Sequence, residues 1–280
     1  MLKQTLVRIH LAIGVTLALF LPLILGHAHA AELTCTQAAP CTVAELLIPG
    51  NYFVASRPLG ANHKETMKFH NFEALVGDFG GAGISAWGTT GKLVLEPRQT
   101  AGTNPWRIES GPPLFGSVSY TDALKYDIEY SGFYMDVHGD FHPVGLGTAA
   151  LKVEFGEFAN SGGLALTGVV EKTLATPDGS SFHLGITCQE LEVNVFLGCG
   201  NQEGGKQTPW DSFYVGNLTV VDFISLDYVE YIPTGGYLEV VRIENTFMTA
   251  MVTPEPGSIL LVWLGLGIIV FRRRLSGNLP

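Results

Sequence analysis

Along the middle of the chain, apolar and polar residues alternate with a period of two. Lys125, Asp127 and Glu129 alternate with Tyr126, Ile128 and Tyr130, the pattern of a strand with one face in a core and the other in water. Runs rich in Val, Ile, Phe, Tyr and Thr recur at 66–76, 92–96, 124–130, 133–141, 151–155, 164–174, 182–187, 213–229 and 237–252, separated by Gly, Pro, Asn and Asp, and each predicts a strand. Beyond residue 130 the parity changes. Phe133, Met135, Val137 and Phe141 are apolar, and Asp136, His138, Asp140 and His142 polar. A strand that changes face turns or bulges, and Ser131-Gly132 stands at the change, so a turn or a bulge is expected there. Pro177-Asp178-Gly179 and Gly235-Gly236 mark further turns. One helix is predicted, where Thr42-Val43-Ala44-Glu45 forms a capping-box pattern and Pro49-Gly50 stops the segment. No repeat of fixed period and no long helical alternation is present. The expectation is an all-β body, an antiparallel β-sandwich or jelly roll, rather than a solenoid or a βαβ fold.

Both ends depart from this pattern. Lys3 and Arg8 precede an apolar stretch at 11–25, followed by Ala28-x-Ala30, which predicts a signal peptide over 1–30 cut after Ala30. As a helix that stretch rises about 22 Å, short of the roughly 30 Å hydrocarbon core of a bilayer. A lipid-attachment site at Cys35 is disfavoured because Glu32 puts an acid where an apolar residue belongs. At the other end, Pro254 and Pro256 hold an extended strip, 259–271 is apolar or glycine throughout, and Arg272, Arg273 and Arg274 follow. Such a run crosses a membrane only if Gly257, Ser258 and a snorkelling Arg272 share the interface, with the arginines on the cytoplasmic side. The chain therefore divides into 1–30, an extracytoplasmic β domain over 31–252, and a tail over 253–280.

Charge and cysteines sharpen the setting. All 26 acids but Glu255 fall within 31–252, and 5 of the 16 Lys and Arg lie outside it, leaving 25 acids against 11 bases. That surface repels nucleic acid and anionic headgroups. Cys35, Cys41, Cys188 and Cys199 in an exported chain predict two disulfides. Cys35 and Cys41 suit a small loop. Between Cys188 and Cys199, strand-like alternation would hold the ends more than about 30 Å apart. Either that segment folds back near Asn194, or the pairs run between the halves of the body.

Pro254-Glu255-Pro256-Gly257-Ser258, the short apolar run and the arginine cluster, in that order, resemble the PEP-CTERM sorting signal of Gram-negative bacteria. The resemblance covers about the last tenth of the chain; Thr253 stands where valine is frequent, and 275–280 extends past the basic cluster. It implies recognition by an exosortase, an integral-membrane cysteine transpeptidase, after signal peptidase has acted at the front. The inner membrane would hold the precursor, and the body would pass to the cell surface or extracellular matrix, a setting associated with exopolysaccharide, biofilm and floc.

Within the body the chemistry is sparser. Asp136, His138, Asp140 and His142 fall at every second position, about 7 Å from neighbour to neighbour on one strand face, a spacing that could hold a divalent metal, although the solvated polar face of an amphipathic strand is the favoured reading. Trp87, Trp106 and Trp210 sit beside turn-formers, in Ala86-Trp87-Gly88, Pro105-Trp106 and Pro209-Trp210, where aromatic faces stack on sugar rings or cap a core. Gly81-Ala82-Gly83-Ile84-Ser85-Ala86 matches a dinucleotide fingerprint formally, but no helix or βαβ unit follows. No Gly-x-Ser-x-Gly, His-Glu-x-x-His or calcium-loop pattern is present. The reading is a non-catalytic, carbohydrate-associated surface protein without a required cofactor. The alternatives are a secreted polysaccharide hydrolase and an ice-binding protein, the latter weakened because Thr34-x-Thr36 is the only threonine pair of that kind read in the chain.

Overall fold

The computed structural model describes residues 30–60, 63–98, 104–109, 118–135, 141–158, 165–191, 206–208, 211–229 and 237–251. The expected signal peptide and the tail, with its motif Pro254 to Ser258 and its arginines, lie outside the described residues. So do Asp136, His138, Asp140, Cys199, Trp210 and the Gly235-Gly236 turn. Among the described residues, no helix is long and apolar enough to cross a membrane.

The body is all-β. Its strands are β1 (Glu32–Leu33), β2 (Cys41–Thr42), β3 (Tyr52–Gly60), β4 (His63–Val76), β5 (Ile84–Thr89), β6 (Lys92–Pro97), β7 (Arg107–Glu109), β8 (Val118–Met135), β9 (Phe141–Phe158), β10 (Ala165–Ala175), β11 (Ser181–Leu191), β12 (Lys206–Gln207), β13 (Asp211–Val215), β14 (Asn217–Val229) and β15 (Tyr237–Met251). They pair into one continuous sheet that curls into a nearly barrel-shaped body. One layer runs β1-β3-β4-β8-β14-β10-β11. The other runs β2-β5-β6-β15-β9, with β7 beside β15, and β12 and β13 beside β9. In the first layer β1 and β3 pair in parallel and the other neighbours are antiparallel.

Of the turn or bulge expected at Ser131-Gly132, the chain makes neither; the strand bends there instead. β8 runs unbroken to Met135, and at Gly132 it passes from the first layer, beside β4 and β14, to the second, beside β9. A side chain at Gly132 would collide with the Tyr130 hydroxyl, so glycine at the bend leaves the room that this ring fills. The change of apolar parity marks this crossing and leaves Phe133 exposed. A second crossing splits the expected strand over 213–229. Gly216 separates β13, on β9, from β14, on β8.

The capping box is present as read. The Thr42 side chain accepts the Glu45 backbone N–H at 3.1 Å, and Glu45 accepts the Thr42 backbone N–H at 2.7 Å, starting the single turn α1 (Val43–Leu46). Gly50, at φ 86°, follows it in the left-handed region. Pro177-Asp178-Gly179 turns β10 into β11. Cys35 and Cys41 form a disulfide; Cys188 is also disulfide-bonded.

One apolar core lies between the layers. Phe53 stacks on Phe69 with ring centres 4.7 Å apart, and Phe72 on Tyr126 at 5.4 Å. Each such ring removed from water contributes roughly 1.5–3 kcal/mol. Four polar side chains share this interior without exposure: Tyr126, Lys172, Asp222 and Asn245.

Candidate functional site

The outer face of the first layer carries the polar parity of its strands. Register sets His70 of β4 beside Asp127 of β8, Asp127 beside Thr219 of β14, and Thr219 beside Ala175 of β10. Together with Glu129, Asn217, Thr176 and Pro177 they line a cleft of about 440 Å³.

β4 borders it at His70, next to a bulge. The register with β8 shifts between His70 and Glu73, and Asn71 takes φ 55°, so that Phe72 turns into the core while Asn71 stays outside. Asn71 then donates its amide to Asp127 Oδ2 at 2.8 Å, and the Thr219 hydroxyl donates to Asp127 Oδ1 at 2.6 Å. Two donors from two different strands hold the carboxylate in a fixed direction. Around it, Lys68 pairs with Glu129 at 3.5 Å and Lys125 with Glu73 at 3.0 Å. Such exposed pairs contribute little to stability, but they tether the acids' side chains. A fixed carboxylate, a side-chain amide and hydroxyls at a cleft floor can accept from and donate to a polyhydroxylated ligand.

The other residues singled out from sequence fall elsewhere. Trp106 has no exposure and meets Phe79 edge-on, with ring centres 5.1 Å apart. Trp87 is 5% exposed and donates its indole N–H to Glu96 at 3.2 Å. Gly88 and Pro105 had pointed to open loops, but both rings are consumed by packing, so neither offers a face to a sugar. His142 stands exposed on β9. Among the described residues, no group of three or more His, Cys, Asp or Glu is arranged to hold a metal ion. The Gly81–Gly83 stretch is a single 3-10 turn leading into β5, and the strand in place of a helix removes the anion site that a dinucleotide needs.

Near that turn lies a buried carboxylate. Asp122 accepts the Phe79 backbone N–H at 2.8 Å and the Tyr120 hydroxyl at 2.6 Å. Burial pushes its carboxyl above the usual range, against the pull of those hydrogen bonds. Its role is structural: it ties the tight turn containing Phe79, whose φ is 51°, to β8.

Neither the Asp127 cleft nor the interior polar group was singled out from sequence. The cleft needs the bulge and the order of four strands, which no single segment reveals. The interior group did leave a trace, since Lys172, Asp222 and Asn245 each occupy the apolar parity of a strand, between Val170 and Leu174, Val220 and Ile224, and Ile243 and Phe247.

No protein-family model matches the chain, and no curated relative does either. Among solved structures, the enzymatically active domain of bacteriophage CBA120 tailspike protein 4 aligns at 10% identity and TM-score 0.16, over 72% of this chain and 19% of that one. A structure of infectious bursal disease virus Gt strain aligns at 14% identity and TM-score 0.16, over 66% of this chain and 50% of that one. The chain thus spans a small part of the tailspike domain and half of the viral chain, and similarity at this level leaves the reading to its own residues.

Proposed function

We propose that the protein is an exported, non-catalytic surface or matrix component, released by an exosortase-type transpeptidase at Pro254 to Ser258, whose β body binds neutral extracellular polysaccharide. The succession of motif, apolar run and arginines along the sequence supports the sorting. The Cys35–Cys41 disulfide suits an oxidising compartment. Two facing layers suit the sandwich form of many extracellular binding modules. The observation that carries the ligand class is the cleft at Asp127, where the carboxylate is fixed by Asn71 and Thr219. Neutral sugars match this floor better than anions do, because the body is strongly acidic.

The test uses the protein purified from the surface of its producing cells, mixed with their insoluble exopolysaccharide at two salt concentrations, with and without chelator. Co-sedimentation that survives high salt is the expected result, and absence of co-sedimentation overturns the ligand assignment. Release of reducing ends would assign a polysaccharide hydrolase instead, and chelator sensitivity would bring in the stretch from Asp136 to His142. Mass spectrometry of the same sample tests the processing, which peptides from Leu260 onward in the mature species overturn.

A further inference from the structure

Three side chains from three strands meet in the interior. Lys172 of β10 and Asp222 of β14 are direct cross-strand partners in the first layer, and Asn245 of β15 approaches from the second. None is exposed. The Asn245 side-chain amide donates to Asp222 Oδ2 at 2.5 Å and to the Tyr126 hydroxyl oxygen at 2.9 Å. Lys172 reaches across the core. Its Nζ donates to the Ala150 carbonyl of β9 at 3.4 Å and lies 4.7 Å from the centre of the Phe247 ring. Ala150 is the register partner of Thr246, and Phe247 follows Asn245 by two positions on the same inward face. The amine therefore ends beside the stretch of β15 that carries Asn245.

As a purely non-covalent arrangement this is costly. A buried ammonium needs a close counter-charge and several acceptors. Among the described residues Lys172 makes one long hydrogen bond, and Asp222 Oδ1 and Asn245 Oδ1 have no hydrogen-bond partner. Burial pushes the Lys172 amine down and the Asp222 carboxyl up, against the attraction between their opposite charges, which brings the uncharged pair closer to the charged one in energy. An uncharged amine is a nucleophile, and an uncharged carboxyl beside a primary amide is a proton donor to it.

We propose that Lys172 and Asn245 become joined by an amide bond that the folded chain forms itself, with Asp222 as the catalytic acid and base. The Lys172 stem turns from the Phe247 ring toward Asn245, and Nζ attacks Cγ. Asp222 gives a proton to the amide as the tetrahedral centre forms and takes one from Nζ. The Cγ–Nδ2 bond then breaks, and ammonia leaves with the proton that the amine has lost. The product is a secondary amide between Nζ and Cγ. One amine and one primary amide are consumed, one secondary amide and one ammonia are made, and no oxidant or reductant is required. Tyr126 is a positioning residue, since its hydroxyl oxygen holds the leaving nitrogen toward Asp222. The reaction removes the buried charge and fastens the two sheet layers through β10 and β15.

Peptide mapping of the full chain as its host exports it decides the matter without any variant. The expected species is a branched peptide containing Lys172 and Asn245, lighter by one ammonia than its two linear parts combined. If linear peptides with unmodified Lys172 and unmodified Asn245 account for the folded protein, the proposal is overturned. Asp222→Asn tests the catalyst, and the soluble variant is expected to keep the intact mass of the unlinked chain. A variant that still loses ammonia overturns the role given to Asp222.

Discussion

The backbone N–H of Tyr130 donates to the carbonyl of Gly216 at 2.8 Å, and this bond joins the two places where the chain crosses between sheet layers. On one side β8 bends at Gly132; on the other, β13 gives way to β14 at Gly216. The corner is reinforced from β4 and β3. The Tyr130 hydroxyl donates to the buried Glu65 carboxylate, and Arg57 of β3 pairs with the same group.

A side chain at the bend should therefore disrupt both crossings. Gly132→Val is expected to cost roughly 1–3 kcal/mol, the usual range for overpacking a filled interior. Urea denaturation of wild type and variant measures it, and an unchanged midpoint would show that the corner accommodates a side chain.

The helix start makes a prediction with a definite pH sign. Hydrogen bonds from the Thr42 backbone N–H and hydroxyl hold the Glu45 carboxyl below its ordinary value. A depressed folded pKa means that its contribution is present above the unfolded pKa and is lost as pH falls through the folded one. Thr42→Ala should lower stability by about 1 kcal/mol at neutral pH. The gap in Tm between wild type and Glu45→Gln should narrow on acidification.

Asp122 should behave in the opposite sense. Burial raises its folded pKa, so the folded state binds the proton more tightly. Its stabilising contribution is present below the unfolded pKa and is lost as pH rises through the folded one. Asp122→Ala strips the acceptor from the Phe79 N–H and should cost roughly 1–3 kcal/mol, more in acid than at neutral pH. Thermal melts across pH test both the sign and the size.

For the cleft, Asp127→Ala is expected to weaken co-sedimentation with polysaccharide by about tenfold, the equivalent of one good hydrogen bond of about 1.4 kcal/mol. Circular dichroism should be unchanged, because the side chain lies on the outer face. Undiminished binding would move the ligand site away from Asp127.

Much of this fold was legible in period-two alternation. β4, β6, β10 and β15 lie where the runs place them, and Thr42 with Glu45 announced α1 by spacing alone. β3 and β5 escaped, since Pro58 and Gly60 interrupt the first and glycine surrounds the second. The change of parity after Tyr130 was visible, but its meaning was not. A hairpin and a strand that changes layers leave the same local trace, and long-range pairing decides between them. For Trp87 and Trp106, neighbouring turn residues were a poor guide, because the ends of sheets are also where large rings close a core. The Asp127 cleft depends on a bulge at Asn71 and on strands distant in sequence, and alternation within one strand carries neither.

β15 lies between β9 on one side and β6 and β7 on the other, and it ends at Met251, immediately before the tail. Tension applied through the tail would act along an interior strand rather than an edge strand. The hydrogen bonds flanking β15 would then be loaded in shear, many at once, instead of being peeled one after another. If the transpeptidase joins the body to a surface anchor through this end, flowing water would load the long ladder between β15 and β9, where pulling has to break the whole row together.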